Sequence, residues 1–175
     1  MFSFPIEEFK MSKTFTPLQD IAYKAILEGK NVFLTGPAGT GKSLVIDTFK
    51  QLYGKNKKIA ITSTTGISAI VIGGVTLHSY LGIGLGVGSV EDLVAKIKKN
   101  SKARQRWLDL DILVIDEVSM LPAELLEKLE QIARIIRARP IRMIQENIPE
   151  QAFGGIQLVL SGDFLQLPVV GDSNN

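Results

Sequence analysis

The sequence predicts an α/β protein, in which a parallel sheet carries helices on both faces. Three observations favour this fold. Apolar runs suited to buried strands occur at 31–35, 58–62, 111–116 and 153–161. Segments with the apolar spacing of helices follow the first three runs. A glycine-rich turn joins the first run directly to the helical segment behind it, which is the strand–turn–helix order of an α/β unit.

The composition is that of a globular domain. A chain of 175 residues can bury roughly 70% of the surface that its unfolded form exposes. Cysteine is absent, which excludes disulfides and thiolate metal sites, and the lone His78 cannot form a zinc site. The formal net charge of +2 is too small to indicate nucleic-acid binding by itself.

Neither a membrane span nor a targeting segment is expected. No apolar run is long enough to cross a bilayer, and the N-terminus lacks the basic start of a signal or transit peptide. We therefore expect an intracellular protein with no membrane partner. Residues 1–15 are expected to form an N-terminal arm and residues 16–175 the domain.

The most informative motif is Gly-Pro-Ala-Gly-Thr-Gly-Lys-Ser at 36–43. It matches G-x-x-x-x-G-K-[ST] between a predicted strand and a predicted helix, the context in which this pattern indicates a phosphate-binding loop. Lys42 supplies a charge for the β- and γ-phosphates, and the Ser43 hydroxyl is a ligand for Mg²⁺. The sequence predicts nucleoside triphosphate binding by Gly36, Pro37, Ala38, Gly39, Thr40, Gly41, Lys42 and Ser43.

Acidic residues follow a second predicted strand. Asp116 and Glu117 stand at the carboxyl end of the run 111–116, where ligands bind in open α/β sheets. Asp116 is placed to hold Mg²⁺ through its water shell, and Glu117 to orient a water against the γ-phosphate. Gln166, after the last predicted strand, is either a further probe for the phosphate or an ordinary turn glutamine.

Other polar residues have both a structural and a functional interpretation. Gln19 is either the returning half of a capping box with Thr16 or a side chain that hydrogen-bonds an adenine edge. The hydroxyls of Thr64 and Thr65 can cap the next helix or donate to nucleic-acid phosphates. His78 by itself is more typical of a structural histidine.

The remaining patterns predict helices and a loop. The first helix begins near Thr16, and its expected buried stripe is Leu18, Ile21, Ala22, Ala25 and Ile26. A long amphipathic helix follows Pro122 and buries Leu125, Leu129, Ile132 and Ile136. Alternating glycines at 82–88 predict a mobile loop. Six of the eleven residues 96–106 are basic, which is typical of a solvated helix face or, less often, of a DNA contact.

Eight segments, taken in order, resemble the first RecA-like domain of the Pif-type DNA helicases of superfamily one. They are Thr16–Gln19, Gly36–Ser43, Ile61–Gly66, Gly73–Ser79, Val114–Met120, Leu129–Arg137, Phe153–Gln157 and Gly162–Pro168. Many ATPases share the phosphate loop. The block Gly-Gly-Val-Thr-Leu-His-Ser at 73–79 and the two blocks at 129–137 and 153–157 are far more specific.

This resemblance implies a motor that hydrolyses ATP with Mg²⁺ while it moves 5′-to-3′ on single-stranded DNA. It implies that Gln19 contacts adenine and that Gln166 senses the γ-phosphate, and it supports the roles given above to the phosphate loop and the acidic pair. It further implies that the DNA backbone lies along Thr64, Thr65, Gly66 and His78, which for His78 replaces the structural interpretation.

Helicases of this type need a second RecA-like domain, which this sequence does not supply. We therefore expect a fragment or a truncated product. The resemblance also implies that the strand ending at Gly162 lies between the phosphate-loop strand and the Asp116 strand, with Gln166 between Lys42 and Glu117. Leu165 and Val169 stand where the family more often has an aromatic residue and a proline.

Two other functions fit the same phosphate loop. One is an initiator or clamp-loader ATPase that acts on protein partners, although the block around His78 argues against it. The other is a nucleotide-dependent module that grips DNA or a partner without turnover, which a turnover assay would distinguish.

Overall fold

The computed structural model describes residues 15–54, 56–138 and 151–165. The strands within these ranges are β1 (Val32–Thr35), β2 (Ile59–Ser63), β3 (Val75–Thr76), β4 (Ile112–Asp116) and β5 (Gln157–Gly162). The α-helices are α1 (Pro17–Leu27), α2 (Lys42–Tyr53), α3 (Gly66–Val71), α4 (Leu77–Leu81), α5 (Val90–Lys99), α6 (Ser101–Asp109) and α7 (Ala123–Arg137). Short 3-10 helices cover Val118–Met120 and Ala152–Gly155. Residues 1–14 of the expected N-terminal arm lie outside the described residues, and so does the candidate Gln166.

The strands form one sheet in the order β1-β5-β4-β2-β3, and all of the described pairings are parallel. β5 therefore lies between β1 and β4, which confirms the strand order that the resemblance implied. Ser63 at the end of β2 pairs with Asp116 at the end of β4. The carboxyl ends of the strands consequently meet at one edge, which is where the predicted site residues follow.

Helices cover both faces of this sheet, as predicted. On the first face, α4 to α7 pack around the fully buried Trp107 and Leu129. On the opposite face, α1 and α2 contribute Ile26, Ile46 and Phe49 to a second cluster. We call this second side the α2 face. All five residues of β4 are buried, which is typical of a central strand in a parallel sheet.

The buried stripe predicted for α1 is wrong in part. Leu18 is 79% exposed and Ile21 is 63% exposed, whereas Tyr23 and Ile26 are buried. The stripe Leu18–Ile21–Ala25 and the stripe Gln19–Tyr23–Ile26 both have helical spacing. The second stripe faces inward, where Tyr23 and Ile26 pack in the cluster of the α2 face, and Gln19 on the same side of the helix reaches the phosphate loop, as described below.

The last strand begins later than predicted. Residues 152–155 form a 3-10 turn, and Phe153 and Gly154 have φ of 51° and 57°. A strand requires extended backbone, so pairing starts only at Gln157. Phe153 is nevertheless buried, because the turn directs its ring into the first face of the sheet.

The basic run at 96–106 is divided between two helices that break at Asn100, whose side chain caps α6 by accepting from the Ala103 N–H. Lys98 and Arg104 are exposed, as expected of a solvated face. Arg106 instead donates to the carbonyl of Tyr80, so its charge is partly committed within the fold.

Candidate nucleotide-binding site

The glycine-rich loop between β1 and α2 has the conformation that its sequence predicts. Gly36, Gly39 and Gly41 have φ of 146°, 81° and 81°. Gly41 is the N-cap of α2 and provides no side chain for the cap. The first N–H groups of α2 are therefore left for a ligand, and the positive end of the helix dipole favours an anionic one.

Lys42 is bound to the loop in this structure. Its Nζ donates to the carbonyl oxygens of Gly36 at 2.5 Å and Pro37 at 3.1 Å. The Thr40 hydroxyl donates to the same Pro37 carbonyl at 2.9 Å. The loop is thus closed on its own ammonium group, which has to exchange these carbonyls for phosphate oxygens when a nucleotide binds.

Gln19 forms the capping box that its spacing predicts. The Thr16 N–H donates to Gln19 Oε1 at 2.9 Å, and the Gln19 N–H donates to Thr16 Oγ1 at 3.4 Å. Its other amide atom, Nε2, donates to the carbonyl of Thr40 at 2.9 Å. This contact to the loop was not predicted, and it requires glycine at position 41, where a Cβ would lie 2.4 Å from Nε2.

Asp116 lies on the face of the sheet that carries α2. Ile112 and Val114 belong to the cluster on the α2 face, and alternation along the strand places Asp116 on that same face. Asp116 is only 8% exposed. One strand, β5, separates β4 from β1, so the two strand ends are about 10 Å apart. That interval suits a polyphosphate with a hydrated cation.

Ser43 and Asp116 form a donor set that fits Mg²⁺. A hydroxyl, one carboxylate and waters are the ligands that Mg²⁺ takes when a nucleotide supplies the remaining oxygens. Among the described residues, no group of three or more His, Cys, Asp or Glu side chains is arranged for a metal ion. An all-protein metal site is therefore not found in this part of the chain.

Glu117 has an uncommon backbone conformation. Its φ of 53° and ψ of 41° are left-handed, and it begins the 3-10 helix Val118–Met120. The end of β5 approaches this turn closely, since a Cβ at Gly162 would lie 3.1 Å from Val118 Cγ1 and 3.2 Å from the Val118 nitrogen. Glycine at 162 therefore allows the turn that carries Glu117 to pack against β5.

The four candidate DNA residues follow two neighbouring strands at the same sheet edge. Thr64, Thr65 and Gly66 come after β2, and His78 lies in α4, directly after β3. Thr65 caps α3 by accepting from the Ser68 N–H at 3.2 Å, so the structural interpretation of this hydroxyl is confirmed.

The other two side chains are also partly committed. Thr64 Oγ1 donates to the carbonyl of Glu117 at 2.9 Å. His78 is partly buried, and desolvation lowers its pKa below 6.5, so its imidazole is neutral at pH 7.

A five-stranded parallel sheet in this order, with a phosphate loop after β1, defines a P-loop NTPase with a RecA-like fold. A family model described as PIF1-like helicase matches residues 14–175. The chain belongs to the PIF1-like helicase family. No helix in the described ranges is long and apolar enough to span a bilayer.

Similar proteins agree with this assignment. The ATP-dependent DNA helicase PIF1 of Emericella nidulans is 52% identical over 160 residues, which are 87% of this chain and 20% of that protein. A crystal structure of Pif1 helicase from Candida albicans matches with a TM-score of 0.78 and 46% identity over 90% of this chain and 34% of its own. Bacteroides Pif1 in complex with ADP-AlF3 and ssDNA matches with a TM-score of 0.73 and 28% identity, covering 92% and 35% of the two chains. The chain thus spans about a fifth to a third of the length of these proteins.

Proposed function

We propose that this chain is the nucleotide-binding motor domain of an ATP-dependent 5′-to-3′ DNA helicase, which couples ATP hydrolysis to movement on single-stranded DNA. One observation carries the proposal. The phosphate loop and the pair Asp116–Glu117 flank β5 at the same sheet edge, and Asp116 faces the side on which α2 begins. In this geometry the phosphate loop can hold a triphosphate, and a water oriented by the acidic pair can attack the γ-phosphorus.

We propose the following residue roles, which rest on this geometry together with the family resemblance. Lys42 releases the loop carbonyls of Gly36 and Pro37 and pairs with the β- and γ-phosphates, while the N–H groups of the loop and of the first turn of α2 bind the remaining oxygens. Ser43 and Asp116 would hold Mg²⁺, which supplies positive charge against the phosphates. Glu117 would orient the attacking water, and Gln19 would contact adenine after releasing its present hydrogen bonds.

DNA would lie beyond the ends of β2 and β3. We propose that the segment Thr64–Gly66 and His78 contact it there, and we retain Gln166 as the proposed γ-phosphate sensor. The Bacteroides relative was solved with ADP-AlF3 and ssDNA, which supports these ligands for this chain. A second RecA-like domain is the proposed partner that completes the motor. Membership of the helicase family disfavours the initiator or clamp-loader alternative.

Calorimetric titration of Mg-ATP into the purified chain tests the nucleotide site. Lys42→Ala should weaken binding by about 10- to 150-fold, because a charge-assisted hydrogen bond contributes roughly 1.5–3 kcal/mol. Lys98→Ala, which removes an exposed lysine from α5, is the matched control and should bind like the wild type. Equal affinity of the Lys42 variant and the wild type would contradict the phosphate-loop assignment.

A further inference from the structure

A hydrogen bond joins the proposed DNA segment to the proposed water-orienting residue. The Thr64 hydroxyl donates to the main-chain carbonyl of Glu117 at 2.9 Å. The Thr64 N–H also donates to the carbonyl of Asp116, at 3.3 Å. Both contacts bridge 53 or 52 positions of sequence, and they continue the β2–β4 pairing one residue beyond the point where Ser63 lies opposite Asp116.

The bond acts on the main chain of Glu117, whose conformation is uncommon. Its left-handed backbone is unfavourable for a side chain that carries a Cβ, and within the described ranges only Phe153 shares a positive φ among residues other than glycine. No side chain caps the 3-10 helix that Glu117 begins. The Glu117 carbonyl accepts from the Met120 N–H of this turn at 3.1 Å and from the Thr64 hydroxyl at the end of β2. The first bond is local to the turn, and the second ties the turn that carries Glu117 to the neighbouring strand.

The commitment of the Thr64 hydroxyl restricts what else it can do. A threonine hydroxyl has one hydrogen to donate. Since this hydrogen is used on the Glu117 carbonyl, it is not available to a DNA phosphate while the bond persists. Thr65 and Gly66 follow directly in the chain and start α3, so a shift of this turn on DNA has to move Thr64 as well.

We propose that Thr64 is a positioning residue that couples the DNA-contacting turn to Glu117, rather than a phosphate ligand. This inference rests on the function proposed above. Ser63 pairs with Asp116 one residue before the Thr64–Glu117 hydrogen bond, and this pairing keeps the ends of β2 and β4 in register. A displacement of the turn at Thr65–Gly66 is therefore transmitted to the strained Glu117 backbone instead of sliding the strands. Because coupling between binding sites is reciprocal, nucleotide binding at Glu117 should also change the affinity of this turn for DNA.

Three variants separate this role from a purely structural one. Thr64→Val removes the donor at nearly constant shape, and Thr64→Ser keeps the hydroxyl. Thr62→Val is the matched control, since the Thr62 hydroxyl donates to the Val114 carbonyl at 2.6 Å between the same two strands. Thr62 is fully buried, so the control removes a comparable cross-strand bond that does not involve Glu117.

Amide hydrogen exchange at residues 117–121, with and without an oligothymidylate at low salt, is the measurement. Thr64→Val should exchange about fivefold faster there than the wild type, as expected when one net hydrogen bond is lost. Oligothymidylate should change exchange at 117–121 in the wild type, in Thr64→Ser and in Thr62→Val, but not in Thr64→Val. The affinity of Thr64→Val for the oligothymidylate should remain within about twofold of the wild-type value.

Two results would overturn the coupling role. One is a loss of tenfold or more in the DNA affinity of Thr64→Val with a shallower salt dependence, which would make Thr64 a phosphate ligand. The other is DNA binding by the wild type with no change at 117–121. Failure of the wild type to bind either Mg-ATP or the oligothymidylate would instead overturn the proposed function itself.

Discussion

At the residue scale, Ser161 has a buried hydroxyl without a hydrogen-bond partner. It is fully buried in β5, and among the described residues its Oγ is the only buried side-chain nitrogen or oxygen without a hydrogen-bond partner. It pairs with Leu34 of β1 and alternates with Val159, so it lies in the predominantly apolar cluster of the α2 face. A hydroxyl in such a place lowers the stability of the fold.

We predict that Ser161→Ala raises the free energy of unfolding by about 1 kcal/mol, since an unsatisfied buried polar group costs about 1–3 kcal/mol and the lost packing of one oxygen offsets part of this. Urea denaturation measures the change. Ser63→Ala is the control, because its buried hydroxyl donates to the Asp116 carbonyl at 3.3 Å and its removal should lower stability. A less stable Ser161 variant would show that the hydroxyl has a partner, such as water.

At the element scale, one arginine holds three elements together at the end of α7. Arg137 donates to the carbonyls of Trp107, Leu108 and Leu110, at 2.6, 3.0 and 2.9 Å, which joins α7 to the α6–β4 connection. Its Nε donates to Gly154 at 2.8 Å, which joins α7 to the turn before β5. Burial lowers the pKa of Arg137, and the carboxylate of Asp111 opposes this shift.

Arg137→Ala should therefore lower the free energy of unfolding by about 3 kcal/mol or more, because it leaves several partly buried carbonyls without a donor. Arg137→Lys should recover only part of this, since an ammonium cannot reach carbonyls on two sides as a planar guanidinium does. Arg104→Ala, on the exposed side of α6, should stay within about 0.5 kcal/mol of the wild type. Equal denaturation midpoints for the Arg137 and Arg104 variants would contradict this assignment.

At the scale of the whole molecule, the described arginines are remote from the phosphate loop. Arg104 and Arg106 lie on α6, and Arg134 and Arg137 lie on α7, helices that pack on the face opposite to α2. Arg139 and Arg142 lie outside the described residues. From the family resemblance, we expect the arginines that neutralise the departing γ-phosphate to come from a second domain.

We accordingly predict that the purified 175-residue chain binds Mg-ATP but hydrolyses it very slowly, since such an arginine contributes on the order of 10³–10⁵ in rate. Single-stranded DNA should change the rate little. Steady-state phosphate release, with and without oligonucleotide and with Glu117→Gln as the inactive control, measures this. Rapid DNA-stimulated release that Glu117→Gln abolishes would contradict the prediction and would indicate self-association that completes the site.

The sequence predicted well where the signal is local. The four predicted apolar runs became strands, and the loop 36–43 and the pair 116–117 stand where their motifs placed them. The strand order required the family resemblance, because no local pattern states which strands are neighbours. The errors at Leu18 and Phe153 arose where two local patterns competed or where a positive φ interrupted an apolar run.

Sequence by itself determined the fold class, the phosphate loop and the family, because each depends on the identity of residues that are close together in the chain. Tertiary structure alone decided which side chains meet. Gln19 reaches Thr40 across 21 positions and Thr64 reaches Glu117 across 53, and neither contact has a periodic signature. These long-range hydrogen bonds attach α1 to the phosphate loop and the turn at Glu117 to the end of β2. Their partners become neighbours only after the sheet has brought its strands together.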